Sequence, residues 1–217
     1  GELAVIALGK FGGRELNFGS DLDILVTGPD AAEARLIRRV SALTRLLQHN
    51  EANGRTYEVD LRLRPHGQDG PLITTREALR AYHHGGGGQA WEKQILTRAR
   101  TVAGHTEAGE ALTAEIDALI FAGPLPQEET RQLLAMRERA EREKAAVEPF
   151  WRAFKAGPGG IMDIEFAAQI LQLRHGHEHP QLRRRDTRST YRAAAEAGIL
   201  PNGIAKTFLK RYNFLRK

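Results

Sequence analysis

Residues 9–26 read GKFGGRELNFGSDLDILV, a glycine-rich turn followed by an apolar segment that begins with two aspartates. The apolar runs 3–8 and 22–26, on either side of the turn, predict two β-strands. Residues two apart on a strand point to the same face, so Asp21 and Asp23 are expected to present their carboxylates side by side. Neighbouring anions repel each other, and Mg²⁺ in proteins takes a few carboxylates plus phosphate oxygens. The pair therefore predicts a cation site.

The glycines of the turn predict a phosphate site next to these acids. Glycine lets the backbone approach phosphate closely, so the turn is expected to offer bare N–H groups to a phosphate near Gly12 and Gly13. Ser20 either joins that contact or only caps the turn into the first aspartate. Lys10 and Arg14 are phosphate contacts or solvated turn residues, and Lys10 is the preferred phosphate ligand.

A third acid lies in residues 55–65, which read RTYEVDLRLRP. Apolar and polar side chains alternate here, which predicts a half-buried strand over 55–63. If this strand pairs with the strand at 22–26, Asp60 completes a cluster of three carboxylates. In two-metal catalysis, a third carboxylate can bind one ion and accept the proton of an attacking hydroxyl.

Arginines accompany this acid on the polar face of the predicted strand. Arg62 and Arg64 alternate with apolar residues, as do Arg98 and Arg100 further along the chain. The planar guanidinium makes two parallel hydrogen bonds to phosphate, so Arg62 and Arg64 are expected to bind the nucleotide. The alternative is that Asp60 pairs with one of them and serves stability.

The remaining chain predicts an α+β protein. Leu36, Val40, Leu43 and Leu47 form a helical stripe between the strands, and residues 71–75 predict a short strand. Thr75 is expected to cap a helix that runs to about residue 82. From residue 106 onward the pattern is almost entirely helical, with helices expected over 128–147 and 161–174.

These elements predict a mixed sheet with helices over residues 1–105, the catalytic domain, and an α-helical bundle over residues 106–217. Ile204, Phe208 and Leu215 are spaced as one helical face near the end. The chain starts directly in a strand and stops inside that amphipathic pattern. Both ends are therefore expected to be cut, with the bundle truncated at the C-terminus.

Composition excludes several classes of protein. Hydrophobic residues make up 41% and charged residues 27%, as in soluble globular proteins, and no apolar run approaches the roughly 20 residues of a membrane span. The absence of cysteine excludes disulfides and thiolate metal sites and favours the cytoplasm. A net charge of +5 is too mild to indicate nucleic acid. His175, His177 and His179 alternate, but no second ligand motif supports a zinc site there.

Several stretches together resemble a known family. The order of G-G, D-x-D and a later single aspartate is similar to the DNA polymerase beta nucleotidyltransferase superfamily. Within it, four stretches resemble the bifunctional glutamine synthetase adenylyltransferase/adenylyl-removing enzymes: LGKFGGRELNFGSDLDIL, YEVDLRLRPHG, AWEKQILTRARTVAG and GGIMDIEFAAQILQLRHG. The similarity covers nearly the whole chain in the family's order. It implies a polymerase-beta-like nucleotidyltransferase sheet followed by helices.

The resemblance also implies an activity. ATP would bind near the glycine turn, two Mg²⁺ ions would be held by Asp21, Asp23 and Asp60, and AMP would pass to a tyrosine of glutamine synthetase, which regulates nitrogen assimilation. A PII signal protein is the expected regulator. Family enzymes have one half that attaches AMP and one that removes it by phosphorolysis. LTRAR at 96–100 and DIEF at 163–166 resemble the attaching half. Removal of AMP, or a catalytically silent module that binds nucleotide or PII, are the alternatives.

Three more residues are implied near the nucleotide: Arg98, Asp163 and Glu165. Asp163 and Glu165 share a face only if residues 160–164 form an extended entry to the helix. Otherwise Asp163 favours the helix N-terminus through the dipole. Pro158 departs from the family, in which many relatives have arginine there, and this weakens the case for a phosphate contact at that position.

Overall fold

The computed structural model of the protein describes residues 3–17, 19–29, 34–48, 50–51, 54–55, 57–145 and 154–217. The chain divides into two compact units, Gly1–Ile120 and Phe121–Lys217. The first contains a mixed sheet with helices, and the described part of the second contains helices and turns. The predicted α+β class is confirmed.

The sheet is organised around the two strands that flank the glycine turn. The described strands are β1 Ala4–Ala7, β2 Leu22–Thr27, β3 Asn50–Glu51, β4 Gly54–Arg55, β5 Val59–Asp60, β6 Ile73–Thr74 and β7 Arg100–Gly104. β1 lies between β2 and β7 and pairs antiparallel with both. β5 and β6 each pair parallel with β2, while β3 and β4 form a separate antiparallel ribbon. The strands predicted around the turn are confirmed, and β7 was not predicted.

Helices make up most of the remaining described chain. They are α1 Gly9–Gly12, α2 Ala34–Leu47, α3 Arg76–His84, α4 Ala90–Leu96, α5 Thr106–Ile120, α6 Gln127–Ala145, α7 Ile161–His175, α8 Thr187–Glu196 and α9 Asn202–Leu215. The Thr75 hydroxyl accepts the Ala78 N–H at 3.1 Å, so the predicted cap of α3 is confirmed. The predicted helix over 128–147 is confirmed up to residue 145, and its end lies outside the described residues.

α2 connects β2 to the parallel strand β5, because parallel neighbours need such a crossover. Its buried residues Leu36 and Val40 pack with Val26 and Ile73 in one core cluster. Leu43, predicted on the same stripe, is 38% exposed. One core cluster of the first unit therefore lies between α2 and one face of β2.

The continuous strand predicted over 55–63 is wrong. Only Val59 and Asp60 pair with β2, and a turn begins right after them. The carboxylate of Asp60 accepts the backbone N–H of Arg62 at 2.7 Å, a turn that aspartate side chains favour and that ends a strand. Arg64 is consequently buried and does not share an exposed face with Arg62.

α5 belongs to the first unit, although a domain boundary was predicted just before it. It contacts β1, β7, α3 and α4, and Leu112, Ile116 and Ile120 are buried along it. Hydrophobic periodicity reports that a helix has an apolar face but not which element covers that face.

The second unit has a core of its own. Ile161, Ile164 and Ala168 from α7 pack with Tyr191 of α8 and Tyr212 of α9. The predicted helix over 161–174 is confirmed as α7. No helix among the described residues has both the length and the apolar character needed to cross a membrane.

Candidate active site

β2 and β5 bring the predicted acids to neighbouring positions. Asp21 comes directly before β2 and is exposed, while Asp23 lies in the strand and is half-buried. In the parallel register, Asp23 is the direct partner of Asp60. The condition stated for Asp60, that its strand lies beside the strand of the D-x-D motif, is therefore met.

The electrostatics of Asp23 report how close these groups are. Burial, the most important cause, and the nearby Asp60 and Asp21 carboxylates together raise the pKa of Asp23 to about 6. Arg62 and Lys10 act in the opposite direction on the same pKa. The acids and both cations therefore belong to one electrostatic cluster.

Asp60 is engaged by its neighbour Arg62. The Arg62 Nε donates to both carboxylate oxygens at 3.0 Å, and Nη2 donates to Oδ2 at 2.5 Å. These hydrogen bonds hold the pKa of Asp60 below its ordinary value. The Asp60 side chain is 12% exposed and that of Arg62 is 64% exposed. The pairing anticipated as the alternative role of Asp60 is thus present.

The three acids are close but not arranged as a ready chelate. Within the described ranges, no three His, Asp or Glu side chains are grouped so that they could hold a metal ion, and this includes the alternating histidines 175, 177 and 179. Asp60 faces Arg62, and Asp21 points into solvent. The chemistry of the donor set still fits Mg²⁺, because all three are anionic oxygen ligands whose mutual repulsion a cation would relieve.

The glycine turn is built differently from the expectation. α1 begins right after β1, and the Gly12 N–H donates to the Leu8 carbonyl at 2.7 Å and the Gly13 N–H to the Gly9 carbonyl at 3.1 Å. These two N–H groups therefore serve the turn itself, and the expectation that they are bare is wrong. A side chain at Gly12 would overlap the carbonyl oxygen of Arg98, so this glycine is needed for close packing.

Gly9 is a site residue that sequence reasoning missed. Its φ is +48°, in the left-handed region, and a Cβ there would overlap Oδ2 of Asp23. The Leu8 N–H donates to the Asp23 backbone carbonyl at 2.8 Å, which holds the two segments together. The only sequence signal was a glycine directly after an apolar strand.

Three polar residues of the turn have different surroundings. The Ser20 hydroxyl oxygen accepts the Asn17 N–H at 2.9 Å, so Ser20 caps the turn as one interpretation held. Lys10 acts to lower the pKa of Asp23, so its ammonium group lies close enough to act on that carboxylate. Arg14 is exposed, as expected for a solvated turn residue, and its φ is +57°.

Arg64 binds backbone rather than presenting its guanidinium beside Arg62. Its Nε donates to the Gly70 carbonyl at 3.0 Å, Nη1 to that of Leu61 at 2.5 Å and Nη2 to that of Gln68 at 3.0 Å. These bonds hold the loop after β5. The predicted contact of Arg64 with the nucleotide stays a prediction.

Arg98 and Arg100 bind the glycine turn. Arg98 forms a buried ion pair with Glu15, and Arg100 donates to the carbonyls of Gly12 and Phe11. Arg98 was expected near the nucleotide, whereas Glu15 was missed because an acid in a polar turn normally indicates solvent exposure.

The two acids of α7 point to different partners within the second unit. The Asp163 carboxylate accepts the Gly159 N–H at 2.6 Å and pairs with Arg137, whose Nε is 2.6 Å from Oδ1. Glu165 is buried and accepts the Tyr212 hydroxyl at 3.2 Å. Because α7 begins at Ile161, the extended entry is wrong and the N-terminal interpretation of Asp163 is confirmed. Their closeness to the nucleotide stays a prediction.

Asp23→Asn is expected to raise the melting temperature, and the increase is expected to be larger at about pH 8 than at about pH 4.5. The pKa of Asp23 rises from 3.8 to about 6 on folding, so wild-type stability from this group is lost as pH rises through that window. Asparagine carries no charge at either pH. Thermal unfolding of both proteins in EDTA measures the difference. A difference that does not grow with pH would contradict a buried, repelled carboxylate.

Two protein-family models match this chain, one in its first half and one in its second half. The family model for glutamate-ammonia ligase adenylyltransferase matches residues 1–115, just over half of the 217 residues. A second model, described as GlnD PII-uridylyltransferase, matches residues 127–217.

Curated relatives carry the name bifunctional glutamine synthetase adenylyltransferase/adenylyl-removing enzyme. The protein of Streptomyces avermitilis is 37% identical over 221 residues, with 99% of this chain and 22% of the relative covered. Those of Thioalkalivibrio sulfidiphilus and Hahella chejuensis are 36% and 34% identical, with 99% of this chain and 23% of each relative covered. The chain therefore spans less than a quarter of the length of these relatives.

Proposed function

The chain belongs to the glutamate-ammonia ligase adenylyltransferase family, and we propose that it transfers AMP from ATP to a tyrosine side chain of glutamine synthetase. The observation that carries the proposal is the register of β2 and β5, which sets Asp60 directly beside Asp23. A cluster of carboxylates on adjacent strands next to a glycine turn is suited to nucleotidyl transfer.

The cofactor that we propose is Mg²⁺, as two ions held by Asp21, Asp23 and Asp60. Bound there, the cations would supply charge neutralisation for the triphosphate and for the departing pyrophosphate. Burial and then repulsion from the Asp60 and Asp21 carboxylates raise the pKa of Asp23, and this repulsion supports the assignment because it makes a cation favourable at this position.

The chain's own cations would bind the phosphates. Lys10 and Arg62 both lower the pKa of Asp23, so both lie where a nucleotide triphosphate would meet the cluster. Arg62 is well placed for this role because its side chain is largely exposed. Gly12, Gly13 and Ser20 would contribute by shaping the turn, since the hydrogen bonds described above for these residues lie within it.

Asp60 would receive the proton of the attacking tyrosine hydroxyl. While Arg62 holds the pKa of Asp60 low, the carboxylate is a poor proton acceptor. We propose that Arg62 moves from Asp60 to the phosphates of ATP. Its departure would return the pKa of Asp60 toward the ordinary value and free Oδ2 to accept the proton.

Attachment of AMP is the direction that we propose, because LTRAR at 96–100 and DIEF at 163–166 resemble the attaching half of the family. Phosphorolytic removal is the second candidate, since the relatives are named for both activities. The match of residues 127–217 to a PII-uridylyltransferase model supports a PII signal protein as regulator. The chain's lack of cysteine supports a cytoplasmic location.

The mass of glutamine synthetase tests the proposal. Incubation with the protein, ATP and Mg²⁺ is expected to add one AMP per subunit. If the same protein instead forms ADP from AMP-modified glutamine synthetase and inorganic phosphate, the direction is removal. If neither reaction occurs and calorimetry finds no Mg²⁺-dependent ATP binding, the chain is a silent module and the proposal is wrong.

A further inference from the structure

Arg100 attaches β7 to the glycine turn. It is the first residue of β7 and lies opposite Ala7, at the end of β1 where the chain enters the turn. Its Nε donates to the Gly12 carbonyl at 3.0 Å and its Nη2 to the Phe11 carbonyl at 3.1 Å. One guanidinium therefore binds two successive carbonyls near the end of α1, and that of Phe11 also accepts the Arg14 N–H at 3.2 Å.

Arg98 attaches the other end of the same turn. Its guanidinium pairs with the carboxylate of Glu15, and the two side chains are only 4% and 1% exposed. Burying two charges costs desolvation energy, so such a pair is weak evidence for stability in itself. Its geometry is specific, however, because it joins residues 83 positions apart in the chain.

The opposite side of the turn contacts the acid cluster. Gly9 packs so closely on the Asp23 carboxylate that no side chain fits between them. β1, which leads into the turn, is paired with β7 on one side and with β2 on the other. The turn is thus enclosed between the two arginines and Asp23, and movement of the turn would alter the space available to that carboxylate.

We propose that Arg98, Arg100 and Glu15, here called the arginine clamp, position Asp23 for AMP transfer by fixing the glycine turn against it. This inference rests on the proposed function. The members of the arginine clamp act through the turn and are positioning residues. Displacing a reacting group by about 1 Å can cost about 10²-fold in rate, so a loosened turn would lower turnover without removing any proposed ligand.

Arg100→Gln tests the arginine clamp with little risk to folding, since it leaves the buried pair of Arg98 and Glu15 intact. Turnover is expected to fall about 10- to 100-fold, with the KM for ATP changed only a few-fold. Amide exchange at Gly12 and Gly13 is expected to accelerate, because their N–H groups close the turn. Arg100→Lys, which keeps the charge and can donate to one carbonyl, should restore part of the turnover.

Arg80→Gln is the matched control. Arg80 lies in the same unit and also uses Nε and Nη2, binding Glu115 on the surface at 2.9 and 2.7 Å. Arg80→Gln is expected to leave turnover and amide exchange at Gly12 and Gly13 unchanged.

Faster amide exchange in Arg100→Gln together with turnover within twofold of the wild type would overturn the inference. Equal losses of turnover in Arg100→Gln and Arg80→Gln would overturn it as well. Should Arg100→Gln and Arg100→Lys both be unfolded, Arg100 serves folding and the inference is also overturned. Wild-type protein that transfers no AMP contradicts the proposed function instead.

Discussion

Asp23→Asn is expected to abolish AMP transfer while the protein remains folded. The substitution removes a half-buried member of the three proposed cation ligands and keeps the shape of the side chain. Loss of about 4 kcal/mol of charge stabilisation in the transition state corresponds to about 10³-fold in rate. Transfer of labelled AMP to glutamine synthetase, measured beside the circular dichroism spectrum, checks both parts of the expectation.

The control for this variant is Asp69→Asn. Asp69 lies in an exposed turn of the same unit, so the chemical change is identical but the cation cluster is untouched. Transfer by Asp69→Asn should equal that of the wild type. If Asp23→Asn also kept near-normal turnover, the assignment of Asp23 to the cations would be wrong.

Asp60→Ala is expected to separate binding of ATP from transfer. If Asp60 receives the proton and holds only one of the two cations, Mg-ATP affinity should stay within a few-fold while the transfer rate falls about 10²–10⁴-fold. Calorimetry with Mg-ATP and a single-turnover assay on one preparation give the two quantities.

Arg62→Gln distinguishes this role from a purely structural one. It breaks the same ion pair but leaves the Asp60 carboxylate in place. Because Arg62 is exposed, the pair itself should contribute little to stability. We expect weaker ATP binding from Arg62→Gln and a smaller loss of transfer than from Asp60→Ala. Equal losses of melting temperature in the two variants, with turnover preserved in both, would show that the pair serves stability alone.

Much of the site could be predicted because its signals are local. An apolar run, a glycine turn and alternating polarity indicated strands on both sides of the turn, and the D-x-D spacing identified Asp21 and Asp23. Asp60 was found because a later alternating segment carried an acid. The predicted strand around Asp60 was too long. The turn that ends it depends on the hydrogen bond from the Arg62 N–H to the Asp60 carboxylate, which hydrophobic periodicity does not report.

The glycines show where a correct motif led to a wrong physical interpretation. The sequence indicated a turn beside the acids, and the turn is there. Its N–H groups were expected to be bare and available to phosphate, yet those of Gly12 and Gly13 donate to carbonyls of the turn itself. The reason for glycine lies in close contacts, of Gly12 with the backbone at Arg98 and of Gly9 with Asp23. Such contacts exist only once distant segments have packed.

The sequence by itself determined the α+β class, the family and the acids on β2 and β5, because periodicity and motif spacing are properties of short segments. The tertiary structure alone decided which arginine does what. Arg62 binds Asp60, Arg64 holds a loop, and Arg98 and Arg100 hold the turn. All four alternate with apolar neighbours in the sequence. The partners of Arg98 and Arg100 are chosen by strand pairing and burial between residues as many as 89 positions apart, which no local pattern encodes.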